Sequence, residues 1–197
     1  MGLIDRAKNI LVNPKEEWAV IEQEEPNIGA LVTGYAIPLI LLSAVCTFIG
    51  FAFISSVYRG LGMGYAIGMA VAQLLTALIG LFISAFVIDA LAPSFGSEKN
   101  LGRAMQLVVY SGTAAWVAGI LNILPFLMWV PMIAGLYGIY ILYLGLPHMM
   151  KTPDDKRIIY MIVAFVVNAV VVMVLGGILA TTLLGAFGVA ALTASPY

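Results

Sequence analysis

Side chains able to do chemistry are few and scattered. His148 is the only histidine and Cys46 the only cysteine. That leaves no Ser/His/Asp set, no HExxH pair, no intrachain disulfide and no thiolate metal cluster. The glycines stand in no strand-to-helix phosphate loop. An intramembrane aspartyl pair needs a second acid at the depth of Asp89, and the sequence offers none. His148 is followed by Met149 and Met150, soft-metal ligands by type, but adjacent residues of a helix point different ways and read as interface residues. Glu16, Glu17, Glu22, Glu24 and Glu25 bring hard-ion oxygens without calcium-loop spacing or its turn glycine, so they read as a solvated helix face. The expectation is no catalytic, cofactor or metal site, and therefore no enzyme.

The residues left to weigh are those a membrane interior makes expensive or an interface makes useful. An acid inside the apolar zone would be an ion or proton site. Asp89 reads instead as an interfacial carboxylate facing Lys99 or Arg103, with its span ending at Ile88. Gln73, Asn122 and Asn168 read as helix-to-helix hydrogen bonders rather than a polar pathway. Tyr137, Tyr140 and Tyr143 recur every third residue; their hydroxyls suit a headgroup or ligand, and equally an aromatic belt. Lys151, Asp154, Asp155, Lys156 and Arg157 form the densest charge cluster. Pro153-Asp154 there reads as a helix start, with acids where the dipole favours them and cations placed to touch anionic lipid.

What positions these residues follows from composition. Of 197 residues, 62% are apolar and only 10% are charged. A soluble domain spends about a quarter of its residues on charge. Too little polar surface exists to cover a soluble globule, and a net charge of −1 gives no bulk attraction to nucleic acid. The sequence therefore reads as an integral membrane protein. A crossing takes about 20 apolar residues. Uncharged runs supply spans at 31–54 and 64–88, two more within 104–150 and a fifth at 158–180. The middle pair is divided by a hairpin at Asn122-Ile123-Leu124-Pro125. The tail 181–197 is left as a frayed helix extension or a peripheral segment, with a sixth span only if it crosses.

Before the first span, Leu3, Ile4, Ala7, Ile10 and Leu11 mark one face of an amphipathic helix, with Asp5, Arg6 and Lys8 elsewhere on it. Asn13-Pro14-Lys15-Glu16 reads as a capped second helix start. Both helices are expected to lie in the headgroup region, anchored by Trp18. Arg6, Lys8, Lys15, Lys99, Arg103, Lys151, Lys156 and Arg157 fall on one side of this topology, and only Arg59 on the other. The positive-inside rule then puts the N-terminus in the cytoplasm and, after five spans, the C-terminus outside. The expected fold is all-α: N-terminal interfacial helices over 1–27 and a five-helix transmembrane bundle over 28–197. Small-residue spacings at Gly64/Gly68 and Gly80/Ser84 would serve internal packing or a homo-oligomer.

The stretch Ile88-Asp89-Ala90-Leu91-Ala92-Pro93-Ser94-Phe95-Gly96 is followed by Tyr110-Ser111, Thr113, Trp116, Ala118-Gly119-Ile120, Asn122 and Pro125. Then come Tyr140-Ile141-Leu142-Tyr143-Leu144-Gly145-Leu146-Pro147, Met150-Lys151-Thr152-Pro153, Asp155-Lys156 and Tyr160. With Asn13-Pro14-Lys15 and Trp18, this pattern is similar to the Yip1 family in its short bacterial form. Ala114 stands where members often carry proline. The resemblance implies five spans. It does not carry over the Rab GTPase partners of the eukaryotic relatives. The candidate functional residues are Asp89, Arg103, Tyr110, Trp116, Tyr140, Tyr143, Pro147, Lys151, Asp155 and Lys156. The functional expectation is a non-enzymatic inner-membrane protein that organises or recruits protein partners or lipids at the cytoplasmic face. The alternative is a small oligomeric transporter or channel.

Overall fold

A computed structural model describes residues 1–56 and 60–193 of the chain, with side chains through residue 186. Arg59, the cation expected on the far side, lies outside the described residues. Every regular element among the described residues is helical. Two short helices, α1 (Leu3–Val12) and α2 (Pro14–Glu22), precede five helices long and apolar enough to cross a membrane. These are α3 (Ile28–Ile54), α4 (Met63–Leu91), α5 (Leu101–Ala118), α6 (Trp129–Met150) and α7 (Asp154–Thr193). Residues 181–193 of the tail continue α7, whose 40 residues run about 60 Å at 1.5 Å each; the last four lie outside the described residues. No sixth span occurs among the described residues.

Local chemistry sets the boundaries. Pro14 occupies the first position of α2, where a missing N–H costs nothing, but the Asn13 side chain makes no capping bond. Asn27 and Asn100 do cap, accepting from the backbone N–H of Ala30 (2.9 Å) and Arg103 (3.0 Å). Within α3 the backbone widens to a π turn over Val32–Ala36, directly before Pro38. The ring of a mid-helix proline clashes with the carbonyl four residues back, and an extra residue in that turn relieves the clash. Gly96 ends the α4 extension at φ 66°. The expected hairpin forms from two tight turns, Gly119–Ile123 and Pro125–Leu127, with Leu124 extended between them.

The bundle is assembled as two long pairs. Helix α4 packs along α7, and α5 along α6, while α6 and α7 meet only sparsely; α3 closes against α4 and the end of α5. Glycine sets the α5–α6 spacing. A Cβ on Gly138 would come within 2.6 Å of the Ser111 carbonyl, so the two backbones approach as closely as small residues permit. Gly80 and Ser84 face α7 of the same chain, beside Val172 and Asn168.

At the N-terminal end the expected headgroup anchor is displaced. Trp18 is fully buried, and its indole N–H donates to the Ile141 carbonyl of α6 at 2.9 Å. Gly145 makes this seat, since a Cβ there would stand 2.6 Å from both Trp18 and Leu107. Ala7, Ile10 and Ile21 are buried with it, whereas Ile4, expected on the same face, is 78% exposed. The inner faces of the two short helices are therefore part of the core, and Trp18 is seated in protein. Removing the tryptophan side chain vacates a large buried volume, and Trp18→Ala is expected to cost about 3–5 kcal/mol of unfolding free energy, measured by denaturant titration in detergent.

Candidate functional site

The N-terminal end concentrates the buried charge of the described protein. Arg6 is 5% exposed, although the apolar face was expected to exclude it. Its guanidinium pairs with Glu17 at 2.5 Å and with Glu24, and lies over the Tyr110 ring at 5.6 Å from the centroid. Glu17 is as buried as Arg6, so this pair is dry and the Glu24 pair half wet. Such a charge persists only when its donors are matched by carboxylates and an aromatic face.

Tyr110 is the hub of this arrangement. Trp18 meets it edge-on at 6.1 Å and Tyr35 at 5.0 Å, and the Tyr35 hydroxyl shares a 2.9 Å hydrogen bond with Thr113. Tyr35 comes from the widened turn of α3, which turns its side chain toward α5. A polar pocket of about 360 Å³ opens over the cluster, lined by Arg6, Glu24, Tyr35, Gln106 and Tyr110 among others. Arg103 closes the neighbouring seam by donating to the Ile21 carbonyl and to Gln106, both at 3.2 Å.

A second ionic seam ties α2 to the α6–α7 turn. Glu22 accepts from Lys151 and pairs with His148 at 2.7 Å. Lys151 adopts a left-handed backbone (φ 52°) where glycine is the usual helix-ending residue, a conformation costing roughly 1–2 kcal/mol for a side-chain-bearing residue. Of the five acids expected to form a solvated face, Glu16 and Glu25 are exposed, while Glu17 and Glu24 pair with Arg6 and Glu22 with Lys151 and His148. Among the described residues no group of three His, Cys, Asp or Glu is arranged to hold a metal ion.

The remaining candidates separate. Asp89 is 6% exposed, not in water as a span ending at Ile88 would leave it, because α4 continues to Leu91 and then tightens to Phe95. Lys99 faces it at 4.0 Å, Arg103 points elsewhere, and one carboxylate oxygen is buried without a partner. Above it Tyr160 donates to the Ile88 carbonyl at 2.5 Å and stacks on Phe95 at 4.8 Å. The three tyrosines of α6 do not form one site. Tyr137 donates to the Leu11 carbonyl at 2.8 Å, Tyr143 carries the Arg157 guanidinium at 5.1 Å, and Tyr140 is half exposed. Pro147 sits inside the last turn of α6. Asp155 and Lys156 are exposed in the first turn of α7. Trp116 stands apart, on the wall of an intramembrane cavity.

Sequence reasoning missed Arg6, Glu17 and Tyr35. For Arg6 a signal existed: it lies three residues after Leu3 and four before Ile10, squarely on the apolar face.

Five spans with a two-helix cap sealed into one end define an all-α integral membrane protein. A Yip1 domain model matches residues 8–176, and the chain belongs to the Yip1 family. It is similar to the inner membrane protein YohC of Escherichia coli strain K12, at 24% identity over 172 residues, covering 83% of this chain and 88% of that protein. The YohC of Escherichia coli O6:H1 strain CFT073 matches to the same extent. No solved structure matches significantly.

Two outcomes follow from the ionic seams. Arg6→Met strands the Glu17 carboxylate in a dry site and is expected to cost about 3–5 kcal/mol, whereas Arg6→Met combined with Glu17→Leu recovers most of it in a double-mutant cycle. The Lys151 ammonium, then His148, hold the Glu22 carboxyl below its ordinary value of 4.5. A carboxyl whose folded pKa is lowered stabilises above the unfolded pKa and loses that contribution as pH falls through the folded one. Glu22→Gln is therefore expected to cost about 0.2–1 kcal/mol at pH 7, and its unfolding curve should merge with wild type in more acidic buffer.

Proposed function

We propose that this chain is a non-enzymatic inner-membrane protein that recruits a protein partner through its N-terminal face, and that this face lies in the cytoplasm. The observation that carries the reading is the sealing of α1 and α2 into the bundle by Arg6 and Trp18. That makes the outer sides of α1, α2 and the α6–α7 turn one fixed surface. Exposed Ile4, Lys8, Val12, Lys15, Asp155 and Lys156 stand on it as apolar and charged contacts. Cytoplasmic placement is supported by eight of the nine lysines and arginines belonging to this end. The inner membrane is supported by the name of the YohC relatives.

A transporter draws support from a cavity that reaches Gln73. Its lining holds no charged side chain. Its amides are engaged: Gln73 donates to Ser43 at 2.8 Å and accepts from Thr47 at 2.6 Å, Asn122 donates to Thr47 at 3.0 Å, and Asn168 accepts from Ser84. Recruitment remains the better reading.

A photocrosslinking residue at Ile4 or Lys156 in native membranes is expected to give discrete protein adducts, and at lipid-facing Val174 none. Purified protein in liposomes is expected to pass no ion or small solute. Solute flux together with blank crosslinking at all three positions would replace recruitment by transport. A periplasm-dependent reporter enzyme fused to the C-terminus should be active, and one fused to the N-terminus silent.

A further inference from the structure

We infer that the slot between the α4–α7 pair and the α5–α6 pair is a binding site for an acyl chain of a membrane phospholipid. The slot is a partly open cavity of about 760 Å³, within the roughly 300–1,000 Å³ range of ligand sites. Its wall on α4 runs from Met69 to Ile88 and on α7 from Met161 to Ala180. Each stretch is about 28 Å of helix at 1.5 Å per residue, close to the hydrocarbon thickness of about 30 Å. The space is thus long, narrow and parallel to the spans, the shape of a chain and not of a compact solute.

Its chemistry agrees. The walls are mostly carbon, and the amides on them are paired with the hydroxyls of Ser43, Thr47 and Ser84. Room comes from glycines on the walls, among them Gly135, where an added Cβ would meet nothing within 4 Å, and Gly176, where it would meet only Thr76 at 3.6 Å. An unfilled void forfeits dispersion contacts along its whole lining, and within a bilayer the abundant molecules able to restore them are lipid chains.

The polar end of the slot, at Ser43, Gln73 and Asn122, is linked to the 119–127 hairpin through Asn122. The lipid therefore enters from the leaflet on the hairpin side, its ester region at Asn122 and its chain running past Ser111 toward Ile88.

The test is native mass spectrometry of the full chain after exhaustive detergent washing, with wild type compared with slot-filling and control variants. Gly135→Leu and Gly176→Leu fill the slot; Gly177→Leu adds the same side chain at an exposed position beside it, where nothing lies within 4 Å. Wild type and Gly177→Leu are expected to retain one phospholipid, and the slot-filling variants to lose it at least tenfold. If either slot-filling variant fails to fold, the other decides. If neither folds, phospholipid brominated along its chains decides in a Trp129→Phe background, where only Trp116 and the sealed Trp18 emit: loss of the Trp116 share of the emission is expected, and emission equal to that in unbrominated lipid overturns the site. Absence of bound lipid in wild type, equal retention in the slot-filling variants, or retention of a water-soluble molecule instead would each overturn the inference.

Discussion

A guanidinium withdrawn from water organises one end of this protein. Arg6 is surrounded by the Glu17 and Glu24 carboxylates and the face of Tyr110. Each of these groups belongs to a different stretch of chain, and each is needed to make the burial tolerable. A charge moved into low dielectric costs several kcal/mol, and only matched partners return it. The consequence is specificity of position: α1 cannot slide or rotate without exposing an unmatched carboxylate. Trp18, whose indole N–H reaches α6, adds the apolar half of the same constraint. Tyr110 belongs to both halves, which is why α1, α2, α3 and α5 converge on one ring.

Much of the architecture was legible because a bilayer leaves so few solutions. Uncharged stretches of fixed length must be helical, so the five spans follow from where charges stop and start. Boundaries were harder. The fifth span overran its expected limits at both ends because Asp154 and Asp155 are good first-turn residues and Gly/Ala-rich sequence does not itself end a helix. The N-terminal pair was legible as helices but not as core, since amphipathicity says that a face is buried and not what buries it. Asp89 shows the same limit. Its partner Lys99 was expected, but its burial depends on Tyr160 and Phe95 closing over the end of α4, a tertiary contact no local pattern announces.

The two ends of the molecule obey different rules. At the N-terminal end close packing and ion pairs leave little freedom, and exposed groups stand on a fixed base. Between the helix pairs the packing is looser, because glycines on facing walls are not matched by large residues opposite. Within a membrane the second arrangement is tolerable, since hydrocarbon from the solvent itself can substitute for missing side chains. The hydrogen bonds among Ser43, Thr47, Gln73 and Asn122 tie α3, α4 and the end of α5 at the far end of that looser region.

The 123-residue separation between Trp18 and its acceptor Ile141 has a bearing on biogenesis. Residues near the start leave the ribosome first, yet their seat is built from α5 and α6, which enter the bilayer late. Until then the amphipathic segment must wait with its tryptophan unseated. Completion of the fourth crossing is thus the earliest moment at which the nascent polypeptide can lock, and a chain stalled before it would display an unsealed end to quality-control proteases.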